Sequence, residues 1–259
     1  MSFFEIFWAY SDTLAESGIE GFSYFSLPHF IWLFIMAAGI VLYAFSYCKG
    51  SEVRRNNLRK GMAVFLILFE FMQIGVMALT DAPVKYYLPL HMCSLAEFMI
   101  LFDALWLKGK SRMGGQILIF EFLPAAFSSL VMPTSVIYPP YNFYVIHQFL
   151  LHGGIVAYII AEYAAGEIRP RYVGIWQAML ACYIEMFPIY FIDKAFDLNY
   201  MFLMEHWDNP LLKLLWDLSG KKGGIPYIFA LSIMVIVFMH ICYLIYRLIG
   251  FIQKKKSTI

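Results

Sequence analysis

Seven stretches of this chain are long and apolar enough to cross a bilayer, and nothing else in the sequence constrains the fold as tightly. A crossing takes about 20 mostly apolar residues for roughly 30 Å of hydrocarbon. The stretches fall at about 27–47, 61–79, 88–107, 115–131, 141–164, 173–192 and 225–248. Inside hydrocarbon every backbone amide and carbonyl must pair within the protein, so a spanning segment is a helix or a strand of a closed barrel. The alternating pattern of a barrel is absent, and helices are predicted. Composition agrees: 61% of residues are hydrophobic and 14% charged, where a soluble domain carries about 25% charged residues. The expectation is an all-α polytopic membrane protein, a bundle of seven transmembrane helices forming one domain over 1–259.

Positive charge sets the predicted orientation. Lys49, Arg54, Arg55, Arg59 and Lys60 follow the first stretch, and Lys108, Lys110 and Arg112 follow the third. Arg169 and Arg171 follow the fifth, and Arg247 and Lys254–Lys256 close the chain. Of the alternate loops, the second-to-third holds only Lys85 and 132–140 holds no Lys or Arg. Short cytoplasmic loops carry the Lys/Arg excess, which predicts the N-terminus outside, the C-terminus inside and an odd number of crossings of the cell membrane. The segment 193–224 is too polar to cross. In it Lys194, Lys213, Lys221 and Lys222 are balanced by Asp193, Asp197, Glu205, Asp208 and Asp217. It reads as an outer loop with a short amphipathic helix over Pro210–Leu218. Trp207 and Trp216 suit the headgroup region there, and a glycine-rich exit follows at Gly220, Gly223 and Gly224. A net charge of +1 offers no polycation to nucleic acid. Cys48, Cys93, Cys182 and Cys242 all lie in or beside apolar sequence, unlike a secreted disulfide framework. No metal-binding spacing appears, and neither a metal nor a cofactor is expected.

Ionisable side chains inside spans are costly and by default face the protein interior. Here they are Glu70, His91, Glu97, Asp103, Glu121, His147, His152, Glu185 and His240. Depth sorts them. At 1.5 Å per residue, Cys93 lies roughly 8 Å from the outer end of its span, Glu185 roughly 10 Å and His152 roughly 16 Å. These three share the outer half of the bilayer. Helical phase sorts them again. Cys93 and Glu97 are four residues apart and share a face, whereas His91 lies on another. His152 shares its face with Gln148, and His147 points elsewhere. A base for Cys93 must then come from another span, and His152 is the best placed by depth.

A thiolate is a strong nucleophile, and a neighbouring imidazole can take its proton. Cysteine with histidine beside lipid suggests acyl transfer through a thioester. Glu185, Gln148 or His147 would orient the histidine, and Asn199 or backbone amides near 88–91 would stabilise an oxyanion. The bland reading stands beside this one. An intramembrane cysteine packs as a small hydrophobe, histidines near helix ends satisfy local hydrogen bonds, and buried carboxylates pair with a neighbour.

Several motifs in order resemble the YwaF-like integral membrane proteins. LPLHMCSLAEF at 88–98 is similar to that family's "LPLhlC" signature, and LHG at 151–153 to its histidine-glycine in a middle span. LNYMFL at 198–203 is similar to its "NYMYL" loop. GIPY at 224–227 stands where the family has "PWPWY", and it lacks the tryptophans. That family is similar to the transmembrane protein 164 acyltransferases, cysteine-dependent enzymes of phospholipids. The resemblance implies a nucleophile at Cys93 and a histidine partner at His152; the reading of the residues themselves adds His91, His147, Gln148, Glu97, Glu185 and Asn199 in support.

The expected function is that of a lipid-active membrane enzyme, a cysteine-dependent acyltransferase or hydrolase of phospholipid acyl chains, with membrane lipids as partners. A small-solute or proton-coupled carrier is a second reading, carried by the interior carboxylates and histidines. Against it, the sequence has no internal repeat and no matched pair of broken spans. A non-catalytic protein whose polar residues hold its helices together is a third.

Overall fold

In the computed structural model six helical segments are long and apolar enough to cross a membrane: Leu27–Lys49, Glu52–Leu79, Arg112–Ile137, Phe143–Ala164, Tyr172–Phe196 and Ile225–Ile252. The structure describes residues 1–80, 82–206, 209–221 and 224–256, and no strand occurs among them. The protein is an all-α membrane protein. Trp207, Asp208, Lys222 and Gly223, part of the outer-loop reading, lie outside the described residues, as do the side chains of Lys254–Lys256. The remaining predicted span, 88–107, starts later than its apolar pattern predicts. Its helix covers Met92–Phe102 and runs into a π-helical turn at Asp103–Leu107.

The chain divides into two compact units. The first holds Met1–Lys110 and Ala125–Glu167. Its helices are α1 (Phe3–Trp8), α2 (Ser11–Glu16), α3 (Leu27–Lys49), α4 (Glu52–Leu79), α5 (Met92–Phe102), α7 (Leu123–Val131, from Ala125 on) and α8 (Phe143–Ala164). The second holds Ser111–Pro124 and Ile168–Ile259, with α6 (Arg112–Ile117), α9 (Tyr172–Phe196), α10 (Pro210–Leu218) and α11 (Ile225–Lys256).

Helix α8 is the centre of the first unit. Of its most apolar window 78% is buried, against 11% for α3 and 22% for α4. A helix that is apolar all round belongs inside, and α8 packs against α3, α4 and α5. Asn142 starts it. The Asn142 side chain accepts from the Tyr144 amide at 2.9 Å and donates to the carbonyls of Ile6 at 2.8 Å and Ala9 at 3.0 Å. One wholly buried residue thus caps α8 and ties down the N-terminal segment. Asn142→Asp keeps the cap and loses both donors. The expected result is faster hydrogen exchange over 3–16 with a normal α8, whereas Asn142→Ala also loses the cap, a cost of about 1–2 kcal/mol.

Helix α4 begins earlier than the apolar pattern predicts. Ser51 caps it by accepting from the Arg54 amide, and Glu52 stands in the first turn, where the helix dipole favours negative charge. The start at Glu52 draws Arg54, Arg55 and Arg59 out of the predicted loop and into the helix. Arg59 is 4% exposed. Its Nε donates to Glu162 at 2.9 Å and its Nη2 to Glu167. The Tyr47 hydroxyl donates to Glu167 at 2.5 Å. This charge joins α3, α4 and α8 in place of marking a solvated loop. Beside it, Gly109 has φ +68°, and a Cβ there would stand 2.9 Å from both Arg59 and Glu167. Both the turn and the close approach require glycine.

In the second unit α9 carries Pro188 inside it and ends at Asp197, which has φ +54°. Met201 and Phe202 are also left-handed, so three non-glycine residues hold unfavourable backbone within six positions. Two polar side chains hold this turn. Asp193 accepts from the Tyr200 amide at 2.9 Å, and Asn199 accepts from the amides of Met204 and Glu205 and donates to the Glu205 carbonyl. Helix α10 starts at Pro210 behind Asn209, whose side chain accepts from the amides of Leu211 and Leu212.

Candidate functional site

The first turn of α5 sets the geometry. Pro89 has no amide to donate and disfavours helix at the residue before it. A short 3-10 turn covers Val84–Tyr86, and His91 is extended at φ −75° and ψ 154° as the residue before the helix. The helix therefore starts at Met92, four residues later than the sequence predicts. His91 is fastened by its Nε2 to the Tyr86 carbonyl at 3.1 Å. Its side chain does not cap α5. The first amides of a helix lack intrahelical partners, and Met92, Cys93 and Ser94 are the first three residues of α5, with no side-chain cap from His91. The positive end of the helix dipole lies at the same turn.

Opposite Cys93 stands His152 of α8. Its Nδ1 lies 2.6 Å from the Gln148 carbonyl, and its Nε2 lies 3.1 Å from the Cys93 sulfur. A carbonyl only accepts, so Nδ1 carries the proton and Nε2 presents its lone pair to the thiol. That is the tautomer a base for Cys93 requires. The histidine is oriented by the backbone of Gln148. The Gln148 amide group instead donates to the Ser129 carbonyl at 3.3 Å. Cys93 is half-buried and His152 is buried, so the thiol is the more accessible partner. If His152 takes the Cys93 proton, His152→Ala should slow alkylation of Cys93 by iodoacetamide about 10²-fold or more at neutral pH. Liquid chromatography and mass spectrometry of the labelled peptide would measure it.

Further carboxylates surround the pair. Glu70 of α4 accepts from the Ser94 hydroxyl at 2.7 Å, and its other oxygen lies 3.9 Å from Nε2 of His147. His147 stacks on Phe69 with ring centres 4.9 Å apart. Glu97 is wholly buried one turn along α5 from Cys93, and neither of its oxygens has a hydrogen-bond partner among the described residues. The Ser129 hydroxyl also stands beside the Cys93 sulfur.

The structure thus brings Cys93, His152, Gln148, His91, His147 and Glu97 into the first unit. The other two supporting residues belong to the second unit. Glu185 is in the second unit on α9, beside Glu121 of the π-helical turn Leu118–Phe122 and the Cys182 thiol. Its neighbours in that unit are these groups. Asn199 is also in the second unit, where both ends of its amide hold its own turn. Sequence reasoning missed Ser94, Ser129 and the contacts of Glu70 with Ser94 and His147. Ser94 follows Cys93 directly and carried a signal. Ser129 carried none, because its place beside Cys93 depends on how α7 packs. Among the described residues no three His, Cys, Asp or Glu side chains converge to hold a metal ion.

The model of the TMEM164 family matches residues 24–250 of the chain. No curated protein and no solved structure matches it.

Proposed function

The chain belongs to the TMEM164 family, and from that and the geometry at Cys93 we propose that it is a membrane enzyme moving fatty acyl groups of phospholipids through a thioester on Cys93. The observation that carries the proposal is the 3.1 Å approach of the Cys93 sulfur to an unprotonated Nε2 of His152. The resemblance to cysteine-dependent phospholipid acyltransferases supports the substrate class. The charge distribution supports the orientation: the cell membrane, with the N-terminus outside and Cys93 toward the outer leaflet.

The chemistry follows from the placed groups. The thiol gives its proton to Nε2, and the sulfur attacks the carbonyl carbon of a lipid ester. Charge builds on the carbonyl oxygen, where the open amides of Met92, Cys93 and Ser94 act as donors. The ester C–O bond breaks and the departing alkoxide takes the proton from the imidazolium, leaving a lysolipid and an acyl-thioester. An acceptor hydroxyl then gives its proton to His152 and attacks the thioester. The C–S bond breaks and the sulfur recovers the proton. Glu97, one turn along α5 from Cys93, holds the acceptor hydroxyl in this scheme, and water in its stead makes the enzyme a hydrolase. Ser94, Glu70 and His147 position the start of α5.

Purified protein in phospholipid vesicles is expected to convert a fluorescent phospholipid to a lysolipid and an acylated product, resolved by thin-layer chromatography. Turnover that persists in full in both Cys93→Ser and His152→Ala would overturn the proposal.

A further inference from the structure

A groove of about 440 Å³ runs between α3 and α4, floored by α8. It is separate from the thiol site. Its floor includes Gly153, whereas His152, one residue earlier, points roughly 100° away round the helix toward Cys93. Two kinds of glycine build it. A Cβ on Gly153 would stand 2.5 Å from Met36, and one on Gly154 would stand 2.9 Å from Leu66. Those glycines bring α8 close. Gly39 and Gly61 line the walls, and nothing lies within 4 Å of where their Cβ atoms would be. Packing does not require them, and glycine weakens a helix relative to alanine. What they keep is the open space.

The groove has a polar end. Along α4 its lining runs from Phe65 through Gly61 to Asn57, and Arg54 is exposed one turn further on. Arg54 spends one donor on the Ser46 hydroxyl at 2.7 Å, and a guanidinium has five. Lys49 and Lys60 are exposed near the same end of α3 and α4. From Met36 to Tyr43 the groove follows α3 for roughly 10 Å. A volume of this size lies within the usual range for ligand pockets of roughly 300–1,000 Å³. Left empty, its apolar walls would lose their contacts. A flexible hydrocarbon chain with an anionic phosphate at its head matches this surface in shape and charge.

We propose that the α3–α4 groove holds one acyl chain of a bilayer phospholipid, with the lipid phosphate at the Arg54 and Asn57 end. This lipid is bound independently of the chemistry at Cys93.

Photo-crosslinking tests it. The full chain is reconstituted in phosphatidylcholine vesicles carrying a small share of phosphatidylcholine with a diazirine in mid-chain. After illumination, crosslinked peptides are mapped by mass spectrometry. Crosslinks are expected to concentrate on 36–43 and 57–65. Gly39→Leu and Gly61→Leu, on separate helices and each with nothing within 4 Å of the added Cβ, should each lower them about fivefold, equivalent to ~1 kcal/mol of lost packing. Crosslinking to the lipid-exposed Phe229 and Val237 of α11 should not change. Cys93→Ser should leave the groove crosslinks intact, which separates this test from that of the thiol chemistry. Crosslinks spread evenly over exposed apolar residues, or unmoved by both leucines, would show bulk lipid only and overturn the proposal. Disulfide-linked dimers formed efficiently through Gly39→Cys would show that a second copy fills the groove, and would overturn it equally.

Discussion

Cys93→Ser is expected to lower acyl turnover roughly 10³-fold or more without loss of the fold. The serine side chain fits the same space and leaves His152 on the Gln148 carbonyl. What changes is the nucleophile. A hydroxyl surrenders its proton far less readily than a thiol and has only the imidazole to help it. The open amides at the start of α5 remain, so a small residual rate is consistent with the account. The other cysteines supply the control. Cys182 stands beside Glu121 in the second unit, and neither Cys48 nor Cys242 sits in the first turn of a helix. Serine at all three should leave turnover within about twofold of the parent, since none meets the conditions for an activated thiol. Measured turnover in vesicles, with circular dichroism as the check on folding, decides the matter.

Arg59→Met is expected to destabilise the protein by about 3–5 kcal/mol. The methionine fills the volume of the arginine stem, so little packing is lost. It leaves Glu162, 1% exposed, without its cation, and Glu167 and the Tyr47 hydroxyl without the group that gathers them. Removing one partner of a buried pair costs far more than never having had the pair. Glu162→Gln in the same chain should recover part of the loss, because the stranded charge is then gone. Thermal unfolding of the two single variants and the double variant gives the coupling directly. Additive losses would mean that Arg59 acts through its stem and not through its charge.

The apolar runs made the membrane-crossing helices legible, because hydrocarbon admits few backbone structures. Their ends were less so. The start of α5 moved from Leu88 to Met92 because Pro89 and the bond from His91 to the Tyr86 carbonyl hold the preceding segment extended. Arg59 looked like loop charge because a count of Lys and Arg does not say which ones meet a carboxylate two helices away. Hydropathy also could not separate α8 from α3. In a membrane both the core and the lipid face are apolar, and only the packing tells them apart.

Within the candidate site, depth and helical phase pointed from Cys93 to His152 on another span, and the two side chains stand 3.1 Å apart. Depth also admitted Glu185, which belongs to the second unit on α9. Depth is one coordinate, and the order of helices around the protein is the other, which single spans do not encode. The orienting group on His152 was illegible for a different reason. It is a backbone carbonyl, and any residue at position 148 would provide one. Ser129 came to Cys93 through the packing of α7.

The most direct measurement is the mass of the Cys93 peptide after brief incubation of the intact protein with a phospholipid of defined acyl chains. The account predicts an added acyl group on Cys93, removed by neutral hydroxylamine as thioesters are, and absent from Cys93→Ser. It also predicts slower formation of this adduct in His152→Ala. A protein that consumes phospholipid while the Cys93 peptide stays unmodified, or that carries the acyl group on another residue, would contradict it.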